Sequence, residues 1–147
     1  MVSMNMVKLV KVTLCCACCM STVFAELKPN PYSTKVADAA LKIKDWSAAE
    51  AEFERIVNFV RGTPMSIAGF GAIYFKKGWC EYKQGKWNES MDSFEQCYKK
   101  FPSTQNNKNS FHNESLRWWA EAAYMAKDYE MSAALFRKYL TERSKSK

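Results

Sequence analysis

Residues 74–102 read YFKKGWCEYKQGKWNESMDSFEQCYKKFP. The second half places Trp87, Met91, Phe94, Tyr98 and Phe101 three or four positions apart. That is the period of one apolar helix face. Gly85, just ahead of it, supplies a left-handed stop for a preceding helix. Pro102 ends the second helix. The stretch therefore predicts two helices that turn back on each other at Gly85–Lys86.

The same pattern recurs on both sides. Trp46 stands 41 residues before Trp87, and Tyr129 stands 42 residues after it. Three positions beyond each aromatic is a small residue: Ala49, Ser90 and Ser132. Four further on is a phenylalanine: Phe53, Phe94 and Phe136. The flanking helices read Trp46, Ala49, Phe53, Ile56, Val60 and Tyr129, Ser132, Phe136, Tyr139 with Leu140. Partner helices are expected over 33–44, from a Thr63–Pro64 cap to Gln84, and over 113–127. Ala37, Gly78 and Ala120 on these first helices are expected to face Ala49, Ser90 and Ser132, because two backbones approach closely only over short side chains. Ser103 to Asn109 is polar and reads as a loop. No segment alternates with period two long enough for a strand. The expectation is all-α: six antiparallel helices in three hairpins, at about 30–63, 64–103 and 111–144, with a basic tail at 145–147.

Tyr74, Gly78, Ser90, Phe94 and Pro102 stand at the signature spacings of the tetratricopeptide repeat, which this stretch resembles. Lys77 and Glu81 depart from it, where leucine and tyrosine are usual. The first hairpin matches at Ala37, Ala49 and Phe53 and lacks the closing proline. The third matches at Leu116, Ala120, Ser132 and Phe136. The resemblance covers roughly residues 30–144 and implies a short right-handed α-solenoid of three tetratricopeptide-like hairpins. Usual repeats are about 34 residues long; the excess here lies after Pro64 and after Pro102. The family implies protein binding rather than catalysis, so the chain is expected not to be an enzyme and to need no cofactor.

The chain has 147 residues and a formal charge of +7, with 48% hydrophobic, 14% aromatic and 25% charged residues. This composition excludes disorder as the main state, and collagen-like or low-complexity classes with it. Mean hydropathy is −0.39, which excludes a polytopic membrane protein. Met1 to Ala25 reads as a signal peptide. Lys8 and Lys11 form a basic front, Val12 to Phe24 an apolar run shorter than a bilayer span, and Val23-Phe24-Ala25 a small-x-Ala cleavage site. The cysteines at 15, 16, 18 and 19 fall inside this leader and fit neither a lipobox nor a metal site. Cleavage after Ala25 takes the charge from +7 to +5 and leaves two cysteines and no membrane span. The expected location is the periplasm or the exterior. Exported proteins with this repeat resemble accessory proteins of bacterial cell envelopes.

In such arrays the first helices line a concave groove. Phe75, Trp79 and Tyr82 share one helix face at i, i+4 and i+7 and are not needed for hairpin contact. They read either as an anchor site for a partner peptide or helix or as packing for long helices. Asp38, Lys42, Arg117, Glu121 and Tyr124 would flank them. Asp38 and Glu121 have the wrong sign for a cationic carboxylate clamp. The alternative occupant of the same aromatic groove is a glycan or small molecule. Cys80 and Cys97 are offset along their helices by about 7–8 Å, too far for a disulfide, so two free, mostly buried thiols are expected. His112, alone in a polar loop, reads as solvated. No metal-ligand spacing, phosphate loop or nucleophile–base set appears. Nucleic-acid binding is disfavoured because no Lys/Arg stripe exists. The last helix lacks a polar cap. Tyr139 and Leu140 are therefore expected to stay partly exposed, which opens a route to self-association through the C-terminal helix.

Overall fold

The computed structural model describes residues 30–61, 69–103 and 110–145. The leader at 1–25, the Thr63–Pro64 cap, most of the 103–109 loop and the last two residues of the basic tail lie outside the described residues. All the described helices fall in one compact unit, Tyr32–Lys147; the other unit is Met1–Pro31. Six helices run in order among the described residues: α1 Lys35–Lys42, α2 Trp46–Val60, α3 Gly69–Lys83, α4 Trp87–Lys100, α5 His112–Met125 and α6 Tyr129–Lys145. Each packs on the next in sequence, and α3 also touches α5. The all-α helical-repeat solenoid expected from the sequence is the fold.

The repeat is written into the turns. Among the described residues, Lys44, Gly85 and Lys127 have left-handed backbone, at φ of 59°, 76° and 67°. They occupy the same position in the three hairpins. At each, two backbone bonds close the preceding helix in one pattern: Lys44 N to Leu41 O and Asp45 N to Ala40 O, Gly85 N to Tyr82 O and Lys86 N to Glu81 O, Lys127 N to Tyr124 O and Asp128 N to Ala123 O. This is the Schellman closure that a left-handed residue permits. The next residue then starts the second helix. Asp45 Oδ1 accepts from Ala48 N and Asp128 Oδ1 from Met131 N, each at 3.0 Å. Lysine carries a steric cost in this conformation that glycine escapes. Lys44→Gly and Lys127→Gly should each raise the unfolding free energy by about 0.5–1 kcal/mol in urea titrations; a loss at either site would contradict the turn assignment.

The small residues meet as expected. Ser90 Oγ donates to Gly78 O and Ser132 Oγ to Ala120 O, both at 2.9 Å. Ala37 and Ala49, at the equivalent places in the first hairpin, are fully buried. A Cβ on Gly78 would come within 3.1 Å of Phe94 and Ser93, so a larger residue there would push α4 back by a few tenths of an ångström. Phe53 and Phe94 fill the space behind these contacts and are fully buried.

Two expectations are corrected. Tyr139 is buried, packing into the cluster of Leu116, Ala120, Ala123 and Leu135; it repeats Ile56 and Cys97, which face inward in their hairpins. Leu140 alone of the pair is exposed. His112 is not a solvated loop residue. It opens α5, is half-buried, and stacks on Tyr98 at 4.4 Å with its Nδ1 buried and unpartnered. Burial lowers its pKa, against the charge of Glu142.

Candidate functional site

Packing of Gly78 against α4 turns the neighbouring residues of α3 sideways, toward α5. Phe75 stacks on Phe111 with ring centres 4.7 Å apart and meets Phe94 edge-on at 5.5 Å. Trp79 meets Trp118 edge-on at 4.4 Å. Tyr82 lies near Trp79, Trp87 and Trp118 at 6.1, 5.1 and 5.3 Å. The stripe is thus half-buried: its inner edges join the second and third hairpins, and its outer faces border a shallow cup of about 310 Å³. Four aromatic side chains, Phe75, Trp79, Phe111 and Trp118, line the cup together with Lys76.

Cations surround this aromatic floor. Lys83 Nζ sits 4.4 Å from the Trp79 ring centre and the Arg117 guanidinium 4.8 Å from that of Trp118. Their attraction to the ring faces fixes the indoles from above. Lys76 Nζ donates to Asp38 Oδ1 at 2.7 Å. That bond lowers the Asp38 pKa, opposed by burial and assisted by a hydrogen bond from Thr34. Arg117 is 3.5 Å from Glu114. Burial, and then the charge of Glu121, raise the pKa of Tyr82. Lys76 and Arg117 at the rim are therefore matched by acids, Lys83 lies over Trp79, and the cup itself is apolar.

Of the residues singled out in the sequence, Phe75 and Trp79 line the cup, Tyr82 buttresses it, Asp38 holds Lys76 and Arg117 covers Trp118. Glu121 lies near Tyr82. Lys42 and Tyr124 do not line it; Tyr124 packs edge-on with Tyr129 at 5.4 Å. Sequence reasoning missed Lys76, Phe111 and Trp118. The reason is geometric. Arg117, Glu121 and Tyr124 repeat Phe75, Trp79 and Tyr82, and equivalent positions point the same way, so they cannot face each other. The residue that reaches back toward α3 is one step round the helix, Trp118.

A second cluster lies between the first two hairpins. Glu81 is only 2% exposed. It accepts from Lys77 Nζ at 2.5 Å and from Ser93 Oγ at 2.6 Å. Lys77 also pairs with Glu54 at 3.1 Å and donates to Ser93 Oγ at 3.2 Å. Burial raises the Glu81 pKa against these bonds, and the two carboxylates raise that of Lys77 against burial. Farther along, Glu50 accepts from Gln84 at 2.5 Å and from Lys86 at 2.7 Å. Every donor here has an acceptor within the protein, so the cluster is a joint between hairpins. It also explains why Lys77 and Glu81 depart from the leucine and tyrosine of the resembled repeat.

Cys80 and Cys97 are both buried thiols that are not bonded to each other. Cys97 Sγ donates to Gly71 O at 3.1 Å, about two and a half turns from Cys80 along α3. Burial, with Glu50 and Glu81, pushes the Cys80 thiol up to about 12, which suppresses thiolate chemistry. Among the described residues no group of three or more His, Cys, Asp or Glu is placed to hold a metal ion. No described helix is long and apolar enough to cross a membrane.

No curated protein matches the chain. Residues 72–104, which hold most of α3, all of α4 and the left-handed turn that the other two hairpins reproduce, match the family model of the tetratricopeptide repeat.

Proposed function

We propose that the chain is an exported, non-catalytic adaptor of the cell envelope that holds a partner protein by one apolar side chain seated in the aromatic cup of α3 and α5. The cup carries this reading. Its size of about 310 Å³ is at the small end for whole ligands and suits a single Leu, Met or Phe anchor on a helix or extended peptide. The rigid aromatic floor is the surface on which binding hot spots form. Tetratricopeptide repeats generally mediate protein–protein interaction, which agrees. A glycan fits less well. Its hydroxyls need several polar partners, and the one polar lining residue, Lys76, is already bonded to Asp38.

A peptide library selected on the purified chain should converge on one recurring apolar residue. The selected peptides should bind Trp118→Ala about 30-fold more weakly, or about 2 kcal/mol. Trp118 also packs edge-on against Trp79 and Tyr82, so the variant should melt below wild type, and the affinities are compared at a temperature where both are folded. Unchanged affinity would remove the cup from the account. Export is proposed from the leader. N-terminal sequencing of the protein recovered outside the cytoplasm should start at Glu26; a start at Met1 would contradict cleavage.

A further inference from the structure

Both ends of the array expose the positions that, inside it, join one hairpin to the next. Val57, Tyr98 and Leu140 are repeat equivalents on the second helices. Val57 is 3% exposed, and Tyr98 packs against Trp119 and His112 of the following hairpin. Leu140 is 63% exposed. On the first helices Val36, Lys77 and Trp119 are equivalent, as are Ile43, Gln84 and Ala126. Lys77 reaches back to Glu54, Gln84 to Glu50, and Trp119 lies by Tyr98. Val36 and Ile43 occupy these places on α1 and are 61% and 77% exposed.

The two ends also differ from the interior in concert. Where the first interior junction pairs Gln84 with Glu50, the ends carry Ile43 on α1 and Ala133 on α6. Where Lys77 pairs with Glu54, they carry Val36 and Arg137. Bringing α6 to α1 in the interior register therefore strands no carboxylate; it sets Arg137, exposed on α6, beside Val36, where the aliphatic stem packs and the guanidinium stays in water. It places Leu140 and Ala133 against the apolar, small-residue face of Val36, Ala39 and Ile43. Solenoid ends are ordinarily closed by a polar face; the α1 end here shows Val36, Ala39 and Ile43, and the α6 end sets Leu140 beside Arg137.

We propose that the C-terminal face of α6 docks on the N-terminal face of α1 in a second copy of this chain, continuing the repeat head to tail as α2 docks on α3 and α4 on α5. Such a contact is heterologous and leaves one of each face free, so it propagates. The inference is independent of the aromatic cup.

Light scattering on the purified full chain over a concentration series tests it, with Ile43→Glu, which faces Ala133 in this register, Leu140→Glu and their equimolar mixture. Both sites are exposed, and melting curves check that the variants fold. The wild-type mass should rise with concentration. Each variant alone should weaken association by at least about tenfold, since a charge is buried without a partner. The mixture should form a one-to-one dimer and stop, because each variant keeps the face the other has lost. A monomeric wild type would overturn the proposal. So would an Ile43→Glu variant that still associates, which is tail-to-tail contact, or a mixture that stays monomeric.

Discussion

Lys77→Met should lower the unfolding free energy by about 3–5 kcal/mol. The lysine is the main counter-charge of a carboxylate that water barely reaches, and removing it leaves Glu81 with Ser93 alone. Glu81→Gln should cost less, because Lys77 keeps Glu54 and Ser93. Replacing both, as Lys77→Met with Glu81→Met, should recover most of the loss, since a buried pair exchanged for apolar groups is often neutral. The single variant should also respond to pH. Burial already raises the Glu81 pKa in the folded protein, and loss of Lys77 raises it further. A carboxyl with a folded pKa above its unfolded value stabilises the fold most below the unfolded pKa, about 4.3 for Glu. That stability is lost as pH rises through the folded value. The Lys77→Met defect should therefore shrink as pH falls toward that value. Urea titrations at several pH values measure both effects. A pH-independent defect, or a double variant as unstable as the single one, would contradict the pairing.

The phenylalanine series should show a gradient. Phe53→Ala and Phe94→Ala remove fully buried rings and should each cost about 3–5 kcal/mol. Phe136 is their equivalent but is only partly buried at the open end, so Phe136→Ala should cost clearly less. Phe94 carries a second consequence. Phe75 rests on it edge-on at 5.5 Å, so Phe94→Ala should loosen the cup as well as the core, whereas Phe53, which meets the lining only through Lys76, should leave the aromatic floor in place when replaced by Ala. Denaturation midpoints and peptide affinity measured on the three variants separate these effects. Equal costs at all three sites would mean that the third hairpin is closed in solution.

The hairpins were legible because their determinants are local. Period, glycine at the turn and short residues at the contact all act within one hairpin. The expected helix ends at 44 and 127 place the other two turns, but lysine carries no signature of the left-handed backbone found there. The cup was half legible. Phe75 and Trp79 announce themselves by spacing along α3. Trp118 and Phe111 join them only through the packing of α3 against α5, which no single helix reveals. His112 reads as solvated for the same reason: its burial is set by Tyr98, in another hairpin. The joint of Lys77 and Glu81 appeared in the sequence only as a departure from the resembled repeat, and its cause lies across the hairpins, on Glu54 and Ser93.

The central claim is that the cup binds protein. Site-specific photo-crosslinking in the native host tests it directly, with the probe replacing Trp79 and a control probe at Glu95 on α4. The account predicts a discrete protein adduct from position 79 and none from position 95. No adduct at 79, or the same adduct at both, would contradict it.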